Sequence, residues 1–351
     1  MTGRERVLAA INREKPDKAP KDISFTPALY DTFCEKTGSN DIRAYFGLEC
    51  KGVNPRTVAT NDADFAAYME GLPADTQVSS DYGLMSRPVG FYHFLKFIHP
   101  LRNAETLDDI DAYPWPDFTD EYRYSHLKDE IKEAHDQGFF VPSFAGHTFE
   151  TAWELLGFEK WFEDILCNPD IPDAVLERIT VDNCMMARRV AEAGADMLTL
   201  GDDVGMQDRL MMKPEIWRKY LKPRLARIIQ AARDVVPNMP VWYHSDGNIS
   251  DIIDDLIEVG VTVLNPVQPE CLDLKWVKDR YADKLAFWGT IGTQSTMPWG
   301  TPDDVRNTVK DMIELFGPGL LLAPTHVLEP EVPWENVLAF FDGIEKYGNY
   351  H

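Results

Sequence analysis

From Gly138 to the carboxyl end, short apolar runs alternate with longer segments in which apolar residues recur every third or fourth position. The runs FFVPSFAG, DMLTLGDD, PVWYH, VTVLNPV, LAFWGTI and GLLLAPTH predict strands, being brief and bounded by Gly, Pro or polar turns. The segments between them predict helices. TFETAWELLGFEKWFEDIL carries a stripe of Trp153, Leu156, Trp161 and Ile165, and DAVLERITVDNCMMARRVAEAGA ends at Gly194. PEIWRKYLKPRLARIIQAARDVV, NISDIIDDLIEVG, DLKWVKDRY, TPDDVRNTVKDMIELFG and VPWENVLAFFDGIEKYG read the same way. Alternation of this kind demands a parallel sheet with right-handed crossovers. The strand ends LGDD, YHSDG, LNPVQPE, FWGTIGT and APTH are all polar or glycine-rich. A rim to which nearly every strand contributes is the mark of a (β/α)8 TIM barrel, whereas a doubly wound sheet concentrates its site at one switch point.

The amino-terminal third is less regular. Thr2 to Arg13 places Val7, Leu8 and Ile11 on one side of a short helix, stopped by Pro16 and Pro20, and ISF follows as a first strand. From Tyr30 to Gly83, helix-like pieces (LYDTFCEKTG, DIRAYFGLE) alternate with polar turns, and LMSRPVGFYHFLKFIHP has strand-like sections broken by Pro and Gly. The acidic, Pro-broken segment AETLDDIDAYPWPD predicts a surface connection. No Ser- or Gly-rich linker divides the chain, so residues 1–351 read as one domain in which residues 1–85 extend over the barrel.

Composition changes the picture in one respect. The 35 basic and 58 acidic residues give a net charge of -23, which repels phosphate backbones and anionic membranes and argues against nucleic-acid or membrane partners. No apolar run approaches the roughly 20 residues that span a bilayer, and the opening segment is charged throughout. Cys34, Cys50, Cys167, Cys184 and Cys271 are scattered and never form a CxxC pair, so a soluble, cytoplasmic protein without a disulfide framework is expected. No GxGxxG or GxxxxGK[ST] follows a strand, which leaves nucleotide-phosphate cradles unsupported.

The candidate chemistry lies at the strand ends. Asp202 and Asp203, His244 and Asp246, and His326 are metal-capable groups delivered by three different strands to one rim. Three such ligands with an open position make a catalytic zinc site. The plainer reading is a hydrogen-bonded structural His and an Asp that caps a helix; Gly247 followed by Asn248 or Ser250 is a helix start of that sort. Glu150 falls in the first turn of a helix above the rim, where it either serves the helix dipole or faces the pocket. Asn265 and Gln268 suit substrate orientation, and His147 is placed to line the same rim, while His93 and His99 read as packing or surface residues. Trp242, Tyr243, Trp288 and Trp299 fit an apolar pocket wall or burial between barrel and helices equally well.

Four stretches resemble the uroporphyrinogen decarboxylase superfamily, and in particular its corrinoid-dependent methyltransferase branch: GDDVGMQDRLMMKPEIWRKYLKPRL, HSDGNISDIIDDLIEVGVTVLNPVQPE, FWGTIGTQSTMPWGTPDDV and LLAPTHVLEPEVPWENV. The resemblance covers Val141 to Gly348 well, and the amino-terminal third through RERVLAAINREKPDKAP. It implies a barrel of the uroporphyrinogen decarboxylase type. The decarboxylases carry an Arg-rich motif near the amino terminus, whereas KAPKDISFTPALYD has no Arg, and a rim bearing Asp202, Asp203 and Asp246 serves a polyanion poorly. Thiol-specific methyltransferases of the branch show HxCG and a later Cys; here stand His244, Ser245, Asp246, Gly247 and then His326. The resemblance implies zinc on His244, Asp246 and His326, with Asp203 as a fourth candidate and Glu150 facing the pocket. It further implies a Co(I) corrinoid on a partner protein as acceptor of a methyl group from a small methylated donor, O-methyl preferred over N-methyl. The alternatives are a metal-independent decarboxylase of a small acid that uses an Asp to handle the proton, and a non-catalytic corrinoid- or substrate-binding barrel.

Overall fold

The computed structural model describes residues 1–60, 62–79, 81–90 and 94–350. The chain opens with helix Gly3–Ile11, started by a capping box in which Thr2 and Glu5 exchange side-chain and backbone hydrogen bonds. Helices Pro27–Thr37 and Ile42–Phe46 follow, each ended by a left-handed glycine, Gly38 and Gly47. The Pro- and Gly-broken region then forms a small antiparallel sheet of β1 (Gln77–Val78), β2 (Met85–Pro88) and β3 (Leu95–Ile98). His93 lies outside the described residues, and His99 Nδ1 is hydrogen-bonded at 2.8 Å to the Glu154 carbonyl, a packing role.

The main sheet holds β4 (Pro142–Phe144), β5 (Met197–Gly201), β6 (Val241–His244), β7 (Val263–Asn265), β8 (Ala286–Trp288) and β9 (Leu320–Leu321), in that order. All five pairings are parallel, as the strand and helix alternation requires. Two extended segments flank its edges. Beside β9, Leu322 donates to the Pro20 carbonyl and Asp22 to the Leu322 carbonyl, each at 2.9 Å. Beside β4, Phe140 and Lys51 exchange backbone bonds with Glu49 and Phe140 at 2.9 Å. The Lys21 amide reaches the Glu49 carboxylate at 3.1 Å, joining the two segments.

Two cores result. One lies between the strands and the outer helices, where Trp161, Trp217, Tyr243, Ile179 and Ile228 are buried. The other lies on the inner face of the sheet, where Val7 and Ile11 of the first helix pack with Cys50, Phe140, Met197, Val263, Ala286 and Leu321. Arg6 anchors that helix through Asp17 and the buried Glu49, at 2.7 and 3.1 Å. The inner space is therefore filled at one level by an apolar floor.

Three expectations are corrected by the structure. The first long helix of the regular half is two, Phe149–Leu156 and Phe158–Cys167, because Gly157 adopts φ 103. Likewise Pro214–Tyr220 and Lys222–Arg233 are separate; Pro223, one residue into the second, cannot continue the hydrogen bonding of the first. The acidic segment around AYPWPD is no mere surface connection: Ile110 and Tyr113 are buried, and the Tyr113 ring meets Phe65 and Tyr68 at 5.7 and 5.2 Å. Among the described residues no helix is long and apolar enough to cross a membrane.

Candidate metal site and the cavity behind it

The parallel register aligns Gly201, His244 and Asn265 across the ends of β5, β6 and β7. Gly201 is required there, since a Cβ would fall 2.6 Å from the His244 carbonyl oxygen. The loops beyond these strands clasp each other. Asp246 N donates to Asp203 Oδ1 at 2.8 Å, Val204 N to Ser245 Oγ at 3.1 Å, and Asn248 N to the Met206 carbonyl at 2.7 Å. Gly247 has φ 81, and a Cβ there would lie 2.6 Å from the backbone of Gly205. Asn248 Oδ1 then accepts from the Ser250 amide and hydroxyl, ahead of a single 3-10 turn and the helix Ile253–Val259.

This clasp gathers Asp203, His244 and Asp246. Their ligand atoms all lie within 4.8 Å of one another, with His244 Nε2 3.6 Å from Asp203 Oδ1 and 3.9 Å from Asp246 Oδ1. Tetrahedral zinc with bonds of about 2.1 Å separates its ligands by roughly 3.4 Å, so the two distances from His244 Nε2 need to close by only a few tenths of an ångström to suit the ion. Asp246 Oδ1 is buried and has no hydrogen-bond partner, which suits an oxygen that would ligate a cation. Burial pushes the Asp246 carboxyl up and Asp203 adds to it, against the pull of His244 and His326.

The tautomer of His244 follows from Asn265. Asn265 Nδ2 donates to the Trp288 carbonyl at 2.9 Å, which leaves Oδ1 to accept from His244 Nδ1 at 2.6 Å. A flipped amide would set two acceptors against each other. His244 Nε2 is therefore the ring nitrogen left facing the two carboxylates, the one a metal would take.

His147, Glu150 and Asp202 form a second cluster of possible ligands. Their bonding argues for structure instead. Asp202 Oδ1 accepts from the amides of Thr148, Phe149 and Glu150 at 2.8, 2.7 and 3.0 Å, capping the helix Phe149–Leu156. Burial still pushes its carboxyl up to about 7. His147 Nδ1 lies 2.6 Å from the Gly201 carbonyl and 3.0 Å from Glu150 Oε2. Burial alone would lower the imidazole, but Glu150 and Asp202 push it up to about 9. The pair is thus imidazolium and carboxylate, and Glu150 Oε2 also accepts from Asp203 N at 3.0 Å.

Behind the cluster and above the apolar floor lies a cavity of about 450 Å³ whose walls include Asp22, Phe144, Trp242 and Trp288. Of the expected site residues, His147, His244, Asn265 and His326 line it. Asp203 and Asp246 stand beside His244 at the mouth, and Glu150 braces His147 and Asp203. Gln268 is buried, its Oε1 accepting from the Gly247 amide at 3.1 Å, so it supports the clasp. His326 is exposed, with its ring centroid 6.3 Å from that of His244, and it is not drawn into the three-residue cluster. Trp242 stacks on His244 at 5.5 Å and 14°, whereas Tyr243 is buried on the outer side and Trp299 is 73% exposed. Asp22 was not among the expected site residues. Its signal is the polar pair Asp22 and Ser24 alternating with the apolar Ile23 and Phe25 along an edge segment.

Known proteins place this geometry in context. The family described as Uroporphyrinogen decarboxylase (URO-D) matches residues 96–347. Methylcobamide:CoM methyltransferase MtaA of Methanosarcina barkeri is 24% identical over 196 residues, 56% of this chain and 55% of that protein. Uroporphyrinogen decarboxylase of Thermus thermophilus is 28% identical over 173 residues, 46% of this chain and 45% of that one. The chain thus spans about half the length of these curated relatives. A solved methyltransferase from Methanosarcina mazei shares the fold, with a TM-score of 0.67, 18% identity and 99% of both chains covered.

Proposed function

We propose that this chain, which belongs to the uroporphyrinogen decarboxylase family, moves a methyl group from a small methylated donor to the Co(I) corrinoid of a partner protein, with O-methyl donors preferred over N-methyl ones. The observation that carries the reading is the cluster of Asp203, His244 and Asp246 at the mouth of a cavity walled by Phe144, Trp242 and Trp288. Relatives named as methylcobamide:CoM methyltransferases support the reaction class. The two flanking segments support eight-fold closure into a (β/α)8 barrel over residues 1–351, with residues 1–85 supplying its floor helix and edge segments. A cytoplasmic setting belongs to the same reading and rests on the charge and the scattered cysteines.

Zinc is the proposed ion, held by His244, Asp246 and Asp203, with His326 as the rim residue available to complete the set. When bound there it would supply Lewis acidity to the oxygen that loses its methyl. Hard oxygen and nitrogen ligands suit an oxygen donor better than a thiolate. Asn265 holds His244 in the metal-ready tautomer. His147, whose Nδ1 is occupied by Gly201 and Glu150, keeps Nε2–H to hydrogen-bond the donor oxygen. The aromatic walls exclude water and hold a flat donor. Among the described residues no Arg or Lys lines the cavity, which disfavours a polycarboxylate and hence porphyrinogen decarboxylation.

Two measurements test the proposal. Metal analysis should find one zinc per chain, lost in His244→Ala and weakened in His326→Ala; stoichiometric zinc surviving both changes overturns the metal assignment. Co(I) cobalamin with a panel of methoxy-aromatics and methylamines should give the methylcobalamin spectrum. Its absence with every donor removes the reaction class.

A further inference from the structure

Asp22 is the one carboxylate among the described residues that lines the cavity, and neither the proposed metal cluster nor the His147–Glu150 pair uses it. Its backbone is fixed to the β9 edge by the bond to the Leu322 carbonyl. Its side chain accepts only from the amide of its own neighbour, Ile23, at 3.0 Å. Burial pushes the carboxyl up to about 7; the Ile23 amide opposes this, Glu49 adds to it, and Arg43 opposes it at longer range. A partly buried carboxyl on the cavity wall with so little hydrogen bonding from the protein is open to a ligand that supplies a donor.

The opposite need lies on β6. Trp242 lines the same cavity, and its Nε1–H is buried without an acceptor. Trp242 and Trp288 meet edge to face, with centroids 6.3 Å apart at 76°, offering apolar surface for a flat ring. Trp242 precedes His244 by two residues, so the two levels are separated by roughly 7 Å along the strand, the scale of a benzene ring with substituents at opposite ends. A hydroxyl can donate to Asp22 while its ring lies against the indole faces. An ether cannot donate, an ammonium cannot accept, and a carboxylate would face Asp22 with like charge.

Building on the methyl-transfer reading above, we infer that Asp22 is a specificity-determining residue that accepts a hydrogen bond from a hydroxyl at the inner end of the donor, and that the donor class is an uncharged methoxyphenol with its methoxy oxygen at the Asp203, His244 and Asp246 mouth. A purely structural Asp22 would affect stability and leave ligand preference alone.

Quenching of tryptophan fluorescence, which Trp242 and Trp288 report from the cavity wall, reads binding without any methyl transfer. For the full chain, 4-methoxyphenol should bind about tenfold more tightly than 4-methoxytoluene, the worth of one good hydrogen bond. 4-Methoxybenzoate and tetramethylammonium should both bind more weakly than 4-methoxyphenol. Asp22→Ala should erase the preference for the hydroxyl. Asp22→Asn, which keeps the shape and serves if the alanine variant does not fold, should shrink that preference and admit 4-methoxybenzoate. A hydroxyl preference of undiminished size in Asp22→Ala or, where that variant does not fold, in Asp22→Asn, or tetramethylammonium binding more tightly than 4-methoxyphenol, overturns the assignment. Intact hydroxyl-selective binding without methylcobalamin formation instead counts against the methyl-transfer reading alone, so the two failures are distinguishable.

Discussion

Replacing Asn265 by Ala tests whether His244 is a metal ligand through Nε2. The side chain is buried and makes two hydrogen bonds, at 2.6 Å to His244 and 2.9 Å to the Trp288 carbonyl. Losing the second leaves a buried carbonyl unpaired, a destabilisation of about 1–3 kcal/mol. Losing the first frees the imidazole to carry its proton on either nitrogen, while the Trp242 stack keeps the ring plane in place. Removing an outer-shell partner of this sort lowers metal affinity by about 10- to 100-fold, or roughly 1.4–2.7 kcal/mol. Retention of the ring plane puts the expected loss near the lower end. Zinc affinity is measured by competition with a chromophoric chelator at pH 7, and thermal unfolding reports the stability part separately. Asn265→Asp, which retains the acceptor oxygen and adds charge, should bind zinc at least as tightly as the native protein despite losing the donor to Trp288. An Asn265→Ala protein of lowered Tm but unchanged zinc affinity would falsify the assigned role of His244.

Other consequences are open to simpler assays. Gly247→Ala should loosen the clasp by forcing a Cβ to within 2.6 Å of Gly205, so that zinc affinity and Tm fall together. Arg6→Met removes the cation beside the buried Glu49 and should destabilise the protein by about 3 kcal/mol in urea unfolding, since the buried carboxylate loses its guanidinium partner and keeps the Lys21 amide. Burial raises the Asp182 carboxyl to about 7, against the Tyr82 hydroxyl and Arg123, so its charged form opposes folding. This penalty is absent below the unfolded value near 3.8 and fully present above about 7. Asp182→Asn should therefore raise Tm at pH 8 and leave it unchanged at pH 4; equal effects at both values would refute the burial argument.

The strands β4 to β9 were legible because buried parallel strands read as apolar runs, and their polar ends announced the rim. The edge segments were harder to see. Residues 20–25 pair through isolated bridges and turn Asp22 and Ser24 towards a cavity instead of a core, so the usual apolar signature is missing. At the site, His244 and its acidic neighbours came together as the strand ends suggested. Chain order cannot tell how far a loop leans, which is why His326 stands apart and Gln268 turns out to hold Gly247. The tautomer-setting pair of Asn265 and the Trp288 carbonyl depends on register between β7 and β8, which no local pattern encodes.

The first helix, pressing Val7 and Ile11 into the inner space, makes the chamber a dead end from below. Under the proposed reading, the mouth is where a corrinoid-bearing partner would sit and where the donor would enter. On the proposed methyl-transfer reading, the donor would enter before the partner docks, and the demethylated product would leave after it departs. Excess partner should accordingly act as a stopper, slowing turnover by holding the doorway shut.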